Sequence, residues 1–167
     1  MEKKNKKVNE GIKMKMEGGD WFYTGAVKEH FMKPKNFYKN DKEVKNFDGY
    51  GKVGNIKCGD LMEMWIKIKD DKIKDVKWKT FGCASAIAST SMLSVMLKEK
   101  GGMKLEKALK LTGKDIMDRL GGLPAIKIHC SVLGDQALRA AIYDYKVKNN
   151  RDDLKVDKPV EIDEHMH

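Results

Sequence analysis

Cys58-Gly59-Asp60, Gly82-Cys83-Ala84-Ser85-Ala86-Ile87-Ala88-Ser89 and Lys127-Ile128-His129-Cys130-Ser131 hold all three cysteines of this 167-residue chain. Three thiolate donors, with an imidazole beside the last and a carboxylate two residues after the first, form a ligand set for a soft metal ion or an iron-sulfur cluster. The cysteines are 25 and 47 residues apart, too far for a knuckle closed by one hairpin, so the whole fold has to assemble any site made from them. Each motif alone has an ordinary reading. A lone Cys-Gly-Asp fits a small buried thiol, the Ala/Ser run after Cys83 fits a close helix-packing face, and His129 beside Cys130 fits a core histidine. Their conjunction points to metallocluster chemistry.

Hydrophobic period shows which elements must position these residues. Met62, Met64, Ile66 and Ile68 alternate with Glu63, Trp65, Lys67 and Lys69 as in a half-buried strand. Asp70-Asp71 supplies a turn, and Lys74, Val76, Trp78 and Thr80 alternate with Asp75, Lys77, Lys79 and Phe81, which completes an antiparallel hairpin. Residues 83–100 are rich in Ala, Ser and Met and read as a closely packing helix ended by Gly101-Gly102. Residues 105–111 and 115–120 read as shorter helices, and a long one runs from about residue 131 to 148 after Leu123-Pro124. Upstream, Val27, His30 and Phe31 recur at helical spacing until Pro34, so residues 24–33 read as a short helix and 36–46 as a loop. Cys83 and Cys130 then fall at first turns, where the helix dipole favours thiolate over thiol. Cys58 precedes the first strand, and Gly59 lets the backbone approach an ion closely.

The length suits one domain, read as residues 21–150 between a disordered basic arm (1–20) and a charged flexible tail (151–167). Three cysteines without a secretory or transit pattern argue against a disulfide framework and for a reducing compartment, and the expected location is cytoplasmic. Lysines interrupt every apolar run, so no segment suits a bilayer. The net charge of +9 is nearly all lysine; Arg119, Arg139 and Arg151 are the only arginines. Lysine without arginine reads nucleic acid poorly, so the expected use of the positive field is an acidic protein partner, with no nucleic acid and no membrane. Met62, Met64, Met92 and Met96 stand at packing positions, His30 reads as structural, and His165 and His167 in the tail carry no site.

The order Cys-Gly-Asp, Gly-Cys-x-Ser-Ala-x-Ala-Ser and Leu-Pro-x-x-Lys-Ile-His-Cys-Ser resembles the iron-sulfur cluster assembly scaffolds of the IscU and NifU N-terminal family. The likeness runs from about Tyr23 to Lys148 and includes Pro34-Lys35-Asn36 and Ala140-Ala141-Ile142-Tyr143-Asp144-Tyr145-Lys146. It implies an α+β fold of the IscU/SufE type, expected here as an antiparallel sheet of about three strands with helices mainly on one face. It also implies Cys58, Cys83, His129 and Cys130 as ligands of a transient [2Fe-2S] cluster, and Asp60 as a residue that coordinates the cluster or helps release it. Replacing a thiolate by imidazole or carboxylate loosens the grip, which suits a carrier. The resemblance further implies persulfide delivery by a cysteine desulfurase, with Cys130 as acceptor and Lys127 either a cation beside it or a solvated surface lysine. Iron, an electron donor such as ferredoxin and recipient apoproteins complete the scheme. The family's Leu-Pro-Pro-Val-Lys, gripped by an Hsp70-type chaperone, is here Leu123-Pro124-Ala125-Ile126-Lys127, which weakens that partner's motif. Tyr23 is not counted as a site. The alternative is a zinc-bound sulfurtransferase of the SufU type, since zinc takes the same donors. The cysteine motifs lack that branch's long insertion, and His129 stands where that branch has none, so the expected protein is a scaffold and not an enzyme.

Overall fold

The structure is a computed structural model that describes residues 12–16, 19–23, 25–55, 59–121 and 128–159, with backbone alone at 12–16, 19–23, 55 and 128–132. Its strands are β1 (Ile12–Met16), β2 (Gly19–Tyr23), β3 (Gly49–Asn55), β4 (Asp60–Lys69), β5 (Lys72–Phe81) and β6 (Met103–Lys104). Its α-helices are α1 (Gly25–Met32), α2 (Ala84–Lys98), α3 (Leu105–Ala108), α4 (Gly113–Leu120) and α5 (Ile128–Lys148). β3 to β6 form one antiparallel sheet in chain order, and α2 and α5 pack on one face of it. The fold is α+β, as expected.

The β4–β5 hairpin follows the alternation of its residues. Asp60, Met62, Met64 and Ile66 are buried while Leu61, Glu63 and Trp65 are half-buried on the other face. That outer face is covered by aromatics: Tyr38 stacks on Trp65 with centroids 4.8 Å apart, and Tyr50 leans on it at 5.3 Å. One residue breaks the pattern. Lys67 pairs with Asp75 and Ile68 with Ile73, so Lys74 is the extra residue of a bulge and turns outward, exposed, while Ile73 goes into the core. The alternation expected to begin at Lys74 therefore begins at Val76.

The sheet has four strands where about three were expected, because glycines conceal β3. Gly49 and Gly51 lie under α5: a Cβ on Gly49 would stand 2.4 Å from the Ala141 carbonyl oxygen, and one on Gly51 2.3 Å from that of Ala137. These residues let a helix rest directly on strand backbone, and the same lack of side chains erases the period of two that marks a strand.

Both ends of the chain differ from expectation. Ile12 to Met16 alternate apolar and lysine residues and pair with residues 19–23, Met14 opposite Trp21, so part of the expected disordered arm forms a two-stranded ribbon. At the other end, α5 stops where Asn149 N–H bonds the Tyr145 carbonyl and Asn150 turns left-handed (φ 52°). The chain then packs back: Leu154 and Val156 are buried, 2% and 8% exposed, in the same core as Leu138 and Ile142. Residues 151–159 thus belong to the domain and are not a flexible tail; residues 160–167 lie outside the described residues.

α2 carries a buried seam of Ser85, Ser89, Thr90, Ser91 and Ser94. Its hydroxyls hold the segment after α1. Lys35 N–H donates to Ser91 Oγ (2.8 Å), Asn36 Nδ2 donates to Ser94 Oγ (3.0 Å), and Trp78 Nε1 donates to the Lys35 carbonyl (2.8 Å). Ser91 Oγ also lies 2.7 Å from His30 Nδ1. His30 is buried and structural, as expected, and burial lowers its pKa from the ordinary 6.5.

Candidate functional site

Chain order and strand register bring Asp60 and Cys83, two of the expected ligands, to one end of the sheet. Asp60 opens β4, 8% exposed, and pairs with Asn55 of β3. Leu61 pairs with Phe81, the last residue of β5, which leads through Gly82 into Cys83. Asp60 and Gly82 are close: a Cβ on Gly82 would stand 3.2 Å from Asp60 Oδ1 and 3.2 Å from Thr80 Oγ1. Thr80 Oγ1 donates to the Leu61 carbonyl (2.5 Å) and ties the two strand ends together just behind the carboxylate. Gly59, at φ 68°, makes the turn into β4.

Cys83 is the N-cap of α2. Its backbone is extended (φ −77°, ψ 171°), its carbonyl accepts the first helical bond from Ile87 N–H (3.1 Å), and its side chain makes no capping hydrogen bond. A capping serine or aspartate would turn its oxygen back onto the helix amides. The half-buried thiol at this position sits at the positive end of a fifteen-residue helix.

The third part of the site follows from how α5 lies on β3. Ala141 rests on Gly49 and Ala137 on Gly51, so the helix runs antiparallel to the strand. Four helical residues advance about 6 Å and two strand residues about 6.6 Å. Continued toward the start of the helix, the same step brings Leu133 level with Val53, both buried, and the backbone of His129 level with Asn55, the partner of Asp60. The backbone of His129 and Cys130, in the first turn of α5, is thereby brought to the end of the sheet that carries Asp60 and Cys83. Of the other expected site residues, Cys58 and Lys127 lie outside the described residues. Among the described side chains no three His, Cys, Asp or Glu stand together as a metal site.

Thr80 and Gly82 were not read from the sequence as positioning residues. Thr80 was visible only as one more member of a strand, whereas Gly82 belonged to the quoted motif and its use, room beside a carboxylate, needs the fold. Farther along α5, Asp135 is 7% exposed, with Oδ1 making no hydrogen bond and Arg139 Nε 3.5 Å away. Burial pushes its carboxyl above the ordinary carboxylate value.

Residues 22–152 match the family model of the NifU-like N-terminal domain, and the chain belongs to that family. It is 47% identical over 140 residues to the iron-sulfur cluster assembly scaffold protein IscU 1 of Archaeoglobus fulgidus, covering 84% of each chain. It is 46% identical over 131 residues to the scaffold protein IscU of Aquifex aeolicus, covering 77% of this chain and 79% of that one. The fold is similar to the crystal structure of a NifU-like N-terminal protein from Brucella abortus, with TM-score 0.56, 15% identity, and 74% of this chain and 93% of that one covered. A SufU-type protein from Fervidobacterium islandicum shares the fold at TM-score 0.54 and 22% identity, covering 72% and 96%.

Proposed function

We propose that this protein is a scaffold on which an iron-sulfur cluster is assembled and from which it passes to apoproteins. The observation that carries the reading is the convergence of Asp60, the Cys83 N-cap and the first turn of α5 at one end of the sheet. Membership of the family and identity of nearly one half to named scaffold proteins support it. The cargo is a [2Fe-2S] cluster whose two tetrahedral irons need four protein ligands. Cys58, Cys83 and Cys130 supply thiolate, and His129 or Asp60 supplies the weaker fourth donor.

A cysteine desulfurase brings sulfur as a persulfide on Cys130, with Lys127 beside it to balance the anion. Each persulfide sulfur takes up two electrons as its S–S bond breaks, leaving sulfide for the cluster and a free thiolate, so an electron donor such as ferredoxin is required. The protein itself turns over no substrate and is a carrier, working in the reducing cytoplasm where its thiols stay available.

Protein purified without oxygen and supplied with iron, sulfide and thiol tests the reading. Near-equal iron and acid-labile sulfide, visible charge-transfer bands and transfer to an apo-ferredoxin are expected. One tightly held zinc per chain with no transferable cluster would overturn it in favour of a zinc-dependent sulfurtransferase.

A further inference from the structure

Cys83 caps the N-terminal end of α2. At the other end, about 22 Å along the helix by its rise per residue, the described residues line a cleft of about 620 Å³. Met96, Met103 and Leu111 give it apolar surface, and Lys72, Lys100, Lys104 and Lys107 surround it with positive charge.

Three acidic residues also line the cleft, but two are already engaged. Arg119 grips Glu99 through both guanidinium nitrogens, Nη1 at 3.1 Å from Oε2. Asp115 accepts from Thr112 N–H (2.9 Å) and Thr112 Oγ1 (3.0 Å) in the capping box of α4. That leaves Asp118 against four lysines, none of which has an ion-pair partner within 4 Å among the described residues.

The wall that presents these cations is firmly set. Lys100, Gly101 and Gly102 all have positive φ, at 53°, 80° and 106°. A Cβ on Gly102 would stand 2.5 Å from the Ile73 carbonyl oxygen, Lys74 Nζ donates to the Gly101 carbonyl (2.5 Å), and Leu105 N–H donates to that of Asp71 (2.9 Å).

We propose that this cleft binds a small polyphosphate-bearing molecule of the nucleoside di- or triphosphate class, its phosphates among the lysines and its base on the Met96, Met103 and Leu111 surface. The volume lies in the range of small-ligand sites. Four flexible ammonium groups suit phosphate as point charges, whereas carboxylates are better matched by the planar fork of arginine, and the arginine here is already paired. Methionine adapts its shape to a flat ring.

Calorimetric titration of the full chain with ATP, ADP and inorganic tripolyphosphate at about 50 mM salt tests this. Saturable one-to-one binding is expected, tighter for ATP than for tripolyphosphate, and weakened at about 200 mM salt. Lys104→Glu with Lys107→Glu should weaken it by roughly tenfold or more, and Asp118→Asn should strengthen it, a gain that misfolding cannot mimic. Lys28→Glu with Lys45→Glu, an equal change of net charge on exposed residues elsewhere, should leave it within about twofold. No saturation at millimolar ligand, or an equal loss in the control pair, would overturn the proposal. So would tighter binding of an oligoglutamate peptide, which would make the cleft a docking face for acidic polypeptide.

Discussion

Arg151 holds both carboxylate oxygens of Asp71, with Nη1 2.6 Å from Oδ1 and Nη2 3.1 Å from Oδ2. Asp71 lies in the turn between β4 and β5, and Arg151 directly follows left-handed Asn150. The same guanidinium binds Asp153 through Nε and Nη2, both at 2.8 Å, so the chain beyond α5 is fastened at its start. Leu154 and Val156 then enter the core. Leu154→Ala should cost about 2–5 kcal/mol in denaturant unfolding, the range for a buried leucine that leaves a cavity. Arg151→Ala removes only exposed ion pairs and should cost much less. An unchanged midpoint for Leu154→Ala would show that these residues do not pack as described.

The contact of α5 with β3 leaves no room for a methyl group. At Gly51 an added Cβ meets the Ala137 carbonyl oxygen at 2.3 Å and the Ala141 nitrogen at 2.6 Å, and backbone on both sides has to move. Gly51→Ala should therefore destabilise the fold by about 3 kcal/mol or more. It should also disturb metal loading, because the register of α5 on β3 sets the backbone of the helix's first turn level with the strand end that pairs with Asp60. Gly59 has no heavy atom near its Cβ position but stands at φ 68°. Gly59→Ala should cost only about 1 kcal/mol, the strain of the left-handed backbone. Thermal unfolding of the two variants checks the contrast.

Where the sequence was legible, a side chain carried the signal. Met62, Met64 and Ile66 mark β4 because each must be buried, and the cysteine motifs mark the site because thiolate, imidazole and carboxylate have few other reasons to recur together. Where it was not, the signal lay in backbone. β3 is a strand through its pairing with β4, and its Gly49 and Gly51 face α5 with no side chain to show it. Lys74 breaks the alternation because of a bulge that only the pairing of Lys67 and Ile68 reveals. Leu154 and Val156 stand among charged residues whose density hides two core positions. The convergence of Asp60, Cys83 and the start of α5 needs strand order, which no local pattern encodes.

His30 makes stability depend on pH. Its Nδ1 faces Ser91 Oγ at 2.7 Å while Ser91 Oγ accepts from Lys35 N–H, so the hydroxyl proton is free to go to the imidazole, which is then the neutral acceptor. Burial is the largest cause holding its pKa below the ordinary value, with Lys35 adding to it and Glu29 opposing. The unfolded chain then binds a proton more readily than the folded one. Stability is unaffected above the ordinary 6.5 and falls as pH drops below it toward the folded value. Unfolding free energies measured between about pH 7.5 and 5.5 should decline more steeply for the wild type than for His30→Gln, whatever the variant's own baseline. Parallel curves would remove His30 from the account.

Asp60 is the candidate site residue whose carboxylate the structure places beside Gly82, and its replacement gives the sharpest test of a carrier's chemistry. Its carboxylate is buried at the head of β4, beside Gly82, the residue that precedes Cys83. A carboxylate is a harder donor than thiolate and holds an iron-sulfide core less firmly. In a carrier such a group is the place where the grip first opens, whether it ligates iron or lets another donor in. Asp60→Ala should therefore lengthen the life of a reconstituted cluster by roughly tenfold, equivalent to about 1.4 kcal/mol on the barrier to loss. Transfer to an apo-ferredoxin, followed by its visible spectrum, should slow in proportion. Asp60→Asn, which keeps the shape and removes the charge, should behave like the alanine variant if charge is what opens the site. A cluster lost at the wild-type rate or faster in both variants would leave the carboxylate a structural role at the strand end and remove it from release.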